Sequence, residues 1–519
     1  MAESTRLTGD SMGPAVSRTS PPASANGRFI APWGKSEKVS KGRRGPLPQR
    51  VTKLRRRGRG SGGDWWAPLV EGDVFAASQA GHRLLKLTIP FVGFALYTWV
   101  AITFQFGLAQ PAVLIGLVGL LTVAPLRLPR FVTFLTVWIV WSATGLLTTQ
   151  HPDVVGTEIE VLVKVGLIVF LGVNALRSRA QIRAFMILVC LGYGMYPARG
   201  TIINFARGYT LEGRALWNYV YENPNDLAAI SVIALAIAGA LYITERKGIV
   251  RLGAIATIMV LPVMVALTQS RGGFLGLLVF SLIALWGRVR LRLPRFRTTL
   301  AAAAVVVVAA YVVPEEAWSR LGQLSSVVGQ VRGLGDSDVT SNLDALQDKG
   351  SAAQRFQVWG VALQIAGDHV VTGIGQGAYA AVHGEYDRAG GPGFGAKDAH
   401  STYLSVLAET GIVGLFLFMG MLATVLLESE RARKRMVRAM PRHAHQLRIL
   451  QAGLVGFLAA GIFGSYSRVS FLYLLMILIW VCTFQGKKDL EAMHARKVAS
   501  AVRRPAARPD GPRPVSVTT

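Results

Sequence analysis

The sequence predicts an all-α integral membrane protein of about twelve transmembrane helices, with one large loop that carries short helices of its own. Three observations support that expectation. Of the 519 residues, 51% are hydrophobic and only 16% are charged, an apolar content above that of an ordinary soluble chain. The apolar residues fall in runs of roughly 20, the length a helix needs to cross about 30 Å of hydrocarbon. The Lys and Arg behind a formal net charge of +27 sit mainly in the two tails and in short links between runs, as they do in loops held in the cytoplasm.

Residues 1–80 are rich in Ser, Pro, Gly, Lys and Arg and include Arg55-Arg56-Arg57. They have too little apolar surface to offset the entropy of ordering, so a disordered basic cytoplasmic tail is expected. No early apolar stretch with a small-residue cleavage site marks a secretory signal. Residues 81–313 then hold runs at 84–104, 108–126, 131–148, 159–176, 182–197, 227–243, 250–269, 272–287 and 299–313. The large loop spans 314–410, further runs lie at 411–427, 447–463 and 470–485 within 411–486, and 487–519 form a second basic cytoplasmic tail. Because every backbone polar group in lipid needs an internal partner, each run is expected to be helical.

Basic residues orient the set. With the N-terminal tail inside, the inner links carry Arg127 and Arg130, then Arg177, Arg179 and Arg183, then Arg246, Lys247 and Arg251, then Arg288 to Arg297, and finally Arg431, Arg433, Lys434 and Arg435. The outer links after the first and third runs contain no Lys or Arg, so both termini are expected to face the cytoplasm. Membrane topology accounts for the basic charge better than nucleic-acid binding, since neither a base-reading motif nor an aromatic platform accompanies it. Cys190 and Cys482 fall inside apolar runs far apart in the chain, which gives neither a disulfide framework nor a metal-ligand cluster. Glu160 and Lys164 lie near the outer end of their run, where snorkelling explains them.

Charges that oppose the orientation rule mark the candidate site. Arg271, in Gln269-Ser270-Arg271-Gly272-Gly273, lies where one run reaches the outer surface and the next begins. A guanidinium there suits a diphosphate, and its glycines are expected to allow close backbone approach by the ligand. Arg199, Arg207 and Arg214 form a second outer basic patch that ends at Tyr221-Glu222-Asn223-Pro224-Asn225-Asp226. Asn225 and Asp226 are expected to cap the following helix. The large loop holds an amphipathic helix at 352–365 with Arg355 and Trp359, then Gly373, Gly375 and Gly377 in a tight turn. That G-x-G-x-G follows a helix rather than a strand and is no dinucleotide fingerprint. Asp336-Ser337-Asp338 has the D-x-D spacing of metal-dependent sugar transferases but reads as solvated loop. His400 opens a short helical pattern ending at Gly411, with Tyr403, Leu404 and Leu407 on a face suited to the membrane surface. Glu409 points the other way at about 100° per residue and is a poor partner for His400. His400 and Arg271 together make a candidate base and anion clamp.

Three motifs in this order resemble the O-antigen ligase and polymerase family of bacterial membrane glycosyltransferases. They are Ser270-Arg271-Gly272-Gly273, Arg355 to Trp359 followed by Thr372-Gly373-Ile374-Gly375-Gln376-Gly377, and His400 to Gly411 with Tyr403, Leu404, Leu407 and Glu409 in place. The sequence departs from the family at Ser401, where Asn is common. The resemblance implies a multi-pass protein of the bacterial inner membrane, active on its periplasmic face in cell-surface polysaccharide biosynthesis (lipopolysaccharide or exopolysaccharide). It implies an undecaprenyl-diphosphate-linked glycan donor, a glycan or lipid-linked acceptor, contact with membrane lipids, and neither a metal nor another cofactor. Arg271 would bind the lipid diphosphate and His400 would serve the acceptor hydroxyl, with Arg199, Arg207, Arg214, Arg355 and Tyr403 as further substrate contacts. Ligation of a finished chain and polymerisation of repeat units both fit. A lipid-linked oligosaccharide transporter would also have about twelve spans but should show charged or broken helices at mid-depth and paired repeats. A structural envelope subunit would need no Arg and His at one face.

Overall fold

The computed structural model describes residues 85–104, 106–245, 248–289, 351–386 and 397–502. The run at 299–313, the Asp336-Ser337-Asp338 stretch, Arg246, Lys247 and most of both tails lie outside the described residues. Among the described residues, apart from one two-stranded hairpin, the regular elements are helices: α1 Ile89–Thr103, α2 Ala109–Gly119, α3 Arg130–Thr144, α4 Pro152–Ala175, α5 Arg179–Tyr193 and α6 Arg199–Ala206. The hairpin pairs β1 Thr210–Leu211 with β2 Arg214–Ala215. Then come α7 Pro224–Thr244, α8 Ile249–Leu267, α9 Arg271–Val289, α10 Ser351–Asp368, α11 Tyr379–Tyr386, α12 Thr402–Met436, α13 Pro441–Ala460 and α14 Ser470–Val502. Every expected run within the described residues is therefore helical. Among the described residues, six helices are long and apolar enough to cross a membrane, and three shorter apolar ones accompany them.

Helix starts follow local chemistry. Ser178 and Gln181 form a capping box on α5, which satisfies two amides that the first turn would otherwise leave without partners. At α7 the cap is Asn223, whose side chain accepts from the Asn225 amide, with Pro224 in the first turn. This corrects the expectation for Asn225 and Asp226, which lie inside the first turn and have other work. Between α5 and α6 the helix widens into a π turn over Gly194–Ala198, where Pro197 supplies no amide to the ladder.

Burial separates the central helices from the peripheral ones. The apolar windows of α7 and of α14 are each 78% buried inside the protein, against 28% for α8. α13 lies along both α7 and α9, and α12 packs against α3. Among the described residues, arginines assigned to inner links gather at the end of the bundle away from the α7 N-terminus. There Arg127 and Asn174 exchange backbone and side-chain hydrogen bonds, Arg177 donates to the Pro125 carbonyl, and Arg179 and Arg183 pair with Asp489 and Glu245. Lys164 and Glu160 pair with each other at 2.5 Å, one turn apart and exposed.

α12 is two helical pieces joined at Gly411, whose φ of 67° and ψ of −173° leave the helical region. A break of this kind frees carbonyls on one side and amides on the other. The G-x-G-x-G segment supplies the missing partners. Ile374 and Gly375 amides donate to the Ala408 and Glu409 carbonyls at 3.1 and 3.0 Å, and the Ile412 amide donates to the Val370 carbonyl at 2.8 Å. The Trp141 indole N–H donates to the Thr410 carbonyl at 2.9 Å. Gly373, Gly375 and Gly377 all have positive φ, so the tight turn expected here is what forms, and it runs directly against the break. A Cβ on Gly411 would meet the Val371 carbonyl oxygen at 2.1 Å.

Gly411→Ala is therefore expected to lower stability by about 1–3 kcal/mol or more, from left-handed strain plus that clash. Gly360, helical and with nothing within 4 Å of a Cβ, is the control: Gly360→Ala should raise stability by about 0.5–1 kcal/mol. Thermal unfolding in detergent reads both, and equal midpoints for the two variants would refute the stitched break.

Candidate active site

The ends of α7, α9, α12 and α13 meet at one end of the bundle with the hairpin, α10 and the segment 461–469. α9 begins at Arg271, and Ser270 caps it, its Oγ accepting the Gly273 amide at 3.1 Å. Asn225 connects this cap to the hairpin. Its Oδ1 accepts from Ser270 Oγ at 2.9 Å and from Arg214 Nη2 at 2.8 Å, while Arg214 Nε donates to the Thr268 carbonyl at 2.9 Å. Gln269, at φ 52°, donates to the Gly213 carbonyl at 3.1 Å. The β-hairpin thus carries Arg214 to the turn between α8 and α9.

Gly272 and Gly273 serve helix packing. A Cβ on Gly272 would meet the Ala460 carbonyl and Phe463, and one on Gly273 would meet the Ala228 methyl at 2.4 Å. The space beside these glycines is filled by α13 and α7, so the expected close approach of a ligand at their backbone is corrected. Arg271, half-buried at the first position of the helix, adds its charge to the positive end of α9, and both attract an anion.

α10 brings a second guanidinium. Arg355 lies over the Phe463 ring at 5.8 Å from its centroid, and Trp359, one turn on, stacks on the same ring at 5.9 Å. Burial and the nearby Arg271 push the Arg355 pKa down, and Tyr466 acts in the opposite direction. Two like charges face each other here, which raises the local potential for an anion. Tyr466 lies among Asp226, Arg355, Asp398 and Arg214, with its hydroxyl pushed upward mainly by burial and donating to the Asn225 carbonyl at 3.2 Å.

His400 stands two residues before α12, at φ 46°. The α12 start is tied to the 461–469 segment: the Thr402 amide donates to the Gly461 carbonyl at 2.8 Å, and Thr402 Oγ1 donates to the Gly464 carbonyl at 2.6 Å. His400 is half-buried, and its pKa lies below the ordinary histidine value. Burial is the first cause, the positive charges of Arg355 and Lys397 add to it, and Asp398 opposes them. At neutral pH the imidazole is accordingly uncharged and holds a lone pair for a proton. Ser401 is buried at the cap position of α12, without a side-chain cap bond.

Glu409 turns away from His400, as its helical position predicts. It accepts from Gln376 Nε2 at 2.8 Å and faces Arg468 and Glu158. Arg468 pairs with Glu158 at 2.5 Å, and these two carboxylates raise its pKa against the effect of burial. This network binds α4, the glycine turn and the first piece of α12 to the link before α14.

Residues 255–419 match the O-antigen ligase family. The match contains Arg271, Arg355, His400, the glycine turn and the break at Gly411, so the resemblance read from those motifs is shown for this stretch. This stretch is thus similar to O-antigen ligases, and the apolar helices among the described residues indicate a multi-pass membrane protein. No curated protein matches the chain.

Of the seven residues singled out from the sequence, Arg271, Arg355, His400 and Arg214 converge. Arg199 and Arg207 are exposed, at the start of α6 and just past its end, and no side-chain contact joins either to the cluster among the described residues. Tyr403 donates its hydroxyl to the Leu458 carbonyl at 2.8 Å, fixing α12 to α13 and leaving only its acceptor capacity. Tyr403, Leu404 and Leu407 form a half-buried face, while Thr402, Ser405, Val406 and Glu409 turn into the protein. Sequence reasoning missed Asn225 as a bridge, Asp398, Tyr466 and Arg468. Arg468 carried the same signal as Arg271, a cation in an outer link.

Asn225→Leu removes one acceptor from two donors, Arg214 and the Ser270 cap. Its expected cost is about 1–3 kcal/mol, read as a lower unfolding midpoint in detergent. An unchanged midpoint would show that the bridge contributes nothing to this end of the bundle.

Proposed function

We propose that this protein transfers an undecaprenyl-diphosphate-linked polysaccharide to an acceptor hydroxyl at the periplasmic face of the bacterial inner membrane, as an O-antigen ligase does. The observation that carries the reading is the convergence of Arg271, Arg355 and His400, from three separate elements, within the stretch that matches the family. The orientation rests on the distribution of Lys and Arg about the apolar runs, with both termini inside, 314–410 outside and about twelve spans.

The donor brings its own activation, since a glycosyl diphosphate already holds a good leaving group. Arg271, at the N-terminus of α9, and Arg355, on α10, supply cationic donors where charge develops on the departing diphosphate. Burial of Arg355 strengthens that attraction by excluding water. His400 takes the proton of the acceptor hydroxyl as the acceptor oxygen bonds to the sugar anomeric carbon. Electrons of the breaking carbon–oxygen bond remain with the lipid diphosphate. Nothing in this sequence of events requires a nucleotide or a metal. Polymerisation of repeat units is the second reading, favoured by the same chemistry because the two reactions differ only in the acceptor.

Arg271→Lys keeps the charge but loses the planar fork, and is expected to weaken donor binding in a reconstituted transfer assay. His400→Ala should instead lower turnover at saturating donor by roughly 10²–10⁴-fold. Both variants should insert and accumulate as wild type does. Surface polysaccharide from a deletion strain, run on a gel, separates the reactions: unattached full-length lipid-linked chains mean ligation, single repeat units polymerisation. Near-normal transfer by both variants would overturn the site and the reading with it.

A further inference from the structure

One carboxylate stands against His400 without a part in the chemistry above. Asp398 Oδ2 lies 3.6 Å from His400 Nδ1, and the same oxygen accepts the His400 backbone amide at 3.4 Å. The two side chains are similarly accessible, 41% exposed for His400 and 42% for Asp398, so the pair is open to a substrate. Ala399 between them is fully buried, which anchors the intervening backbone, and His400 itself is held in the left-handed region. Catalytic hydrogen bonds are commonly long before substrate arrives and tighten afterwards.

We propose that Asp398 is a positioning residue for His400, holding the imidazole through Nδ1 so that Nε2 is the nitrogen that accepts the proton of the incoming hydroxyl. The inference rests on the proposed role of His400 as base. A carboxylate on Nδ1 keeps the proton there, which fixes the tautomer with its lone pair on Nε2. When the acceptor oxygen bonds to the anomeric carbon and the carbon–oxygen bond to the lipid diphosphate breaks, the hydroxyl proton passes to Nε2. Asp398 then faces an imidazolium and stabilises it while remaining ionised. The imidazolium returns to neutrality by releasing that proton to water. The charged groups facing His400 are Asp398 and Lys397 from its own segment and Arg355 from α10; Asp226 of α7 and Arg271 of α9 face these in turn.

The sign of each influence makes the test specific. Transfer needs neutral His400, so activity is lost as pH falls through its pKa, which lies below the ordinary histidine value. Asp398 favours the charged imidazole, so Asp398→Asn should move this acid limb to lower pH. Arg355 disfavours it, so Arg355→Gln should move the limb to higher pH. Asp398→Asn should also lower turnover about tenfold, less than removal of the base itself, because the amide no longer selects the tautomer. KM for the lipid-linked donor should stay unchanged, and Asp398→Glu should recover part of the turnover. ¹⁵N spectra of histidine-labelled full-length protein in detergent should show the His400 tautomer signal altered in Asp398→Asn and retained in Asp398→Glu. Turnover and acid limb both unchanged in Asp398→Asn, with His400→Ala inactive, would overturn the positioning role alone. Lost turnover with an unmoved limb and an unchanged tautomer signal would do the same, by making Asp398 merely structural. Full activity of His400→Ala would overturn the underlying assignment of the base. Should Asp398→Asn fail to accumulate, the Asp398→Glu limb and spectrum carry the test, and an unmoved limb with a lost tautomer signal there counts against the proposal.

Discussion

Three carbonyls at the broken end of one helix hold this end of the molecule together. Ala408, Glu409 and Thr410 lose their helical partners because the chain turns out of the helix at Gly411, and they recover partners from Ile374, Gly375 and the Trp141 indole. A buried carbonyl without a partner is costly, so the break and the glycine turn exist only together. Each of those glycines has positive φ, and a side chain at Gly373 or Gly377 would strike Glu409 or Glu158 at 2.3 Å. The first piece of α12 takes its direction from this contact. His400, two residues upstream of that piece, inherits its place from it.

The charge distribution above this joint is unusual for a protein interior. Arg214, Arg271 and Arg355 arrive from a hairpin, a helix start and a separate helix, with Asp226, Asp398 and Tyr466 among them. Where the ions of a buried network are paired, their mutual attraction offsets desolvation; Arg468 with Glu158 and Glu409 is of that kind. Arg271 also faces Arg355, like charge toward like. Like charges held together cost stability and favour an anion beside them.

How much of this could be read from residues alone follows from what each signal is made of. Apolar run length is a local property, and α1 to α5, α7 to α9 and α12 to α14 fall where it put them. The amphipathic helix around Arg355 and Trp359, the turn at Gly373 to Gly377 and the stop at Gly411 were equally legible, since helical period and glycine conformation are also local. Bridges between distant segments were not. Asn225 reads as a cap because Asn before a helix usually caps, yet Asn223 took that place and released Asn225 to join Arg214 and Ser270. Gly272 and Gly273 read as room for a ligand, and only the positions of α7 and α13 show that protein fills that room. Arg199 and Arg207 shared a loop with Arg214, but neighbourhood in sequence says nothing about which guanidinium the hairpin turns inward.

The left-handed backbone at His400 narrows what can occupy that position before any chemistry is considered. Among residues with a side chain, Asn, Asp and His tolerate this conformation best, whereas β-branched residues resist it strongly. With His400 as the proposed base, conformational fitness and proton affinity are two filters acting on one site, and histidine passes both. Asparagine passes only the first: it matches the backbone and offers an amide in place of a ring nitrogen. A library of substitutions at this position would consequently sort along two axes, accumulation following backbone tolerance and transfer following basicity, and Asn would mark the corner where the protein is well made and chemically silent.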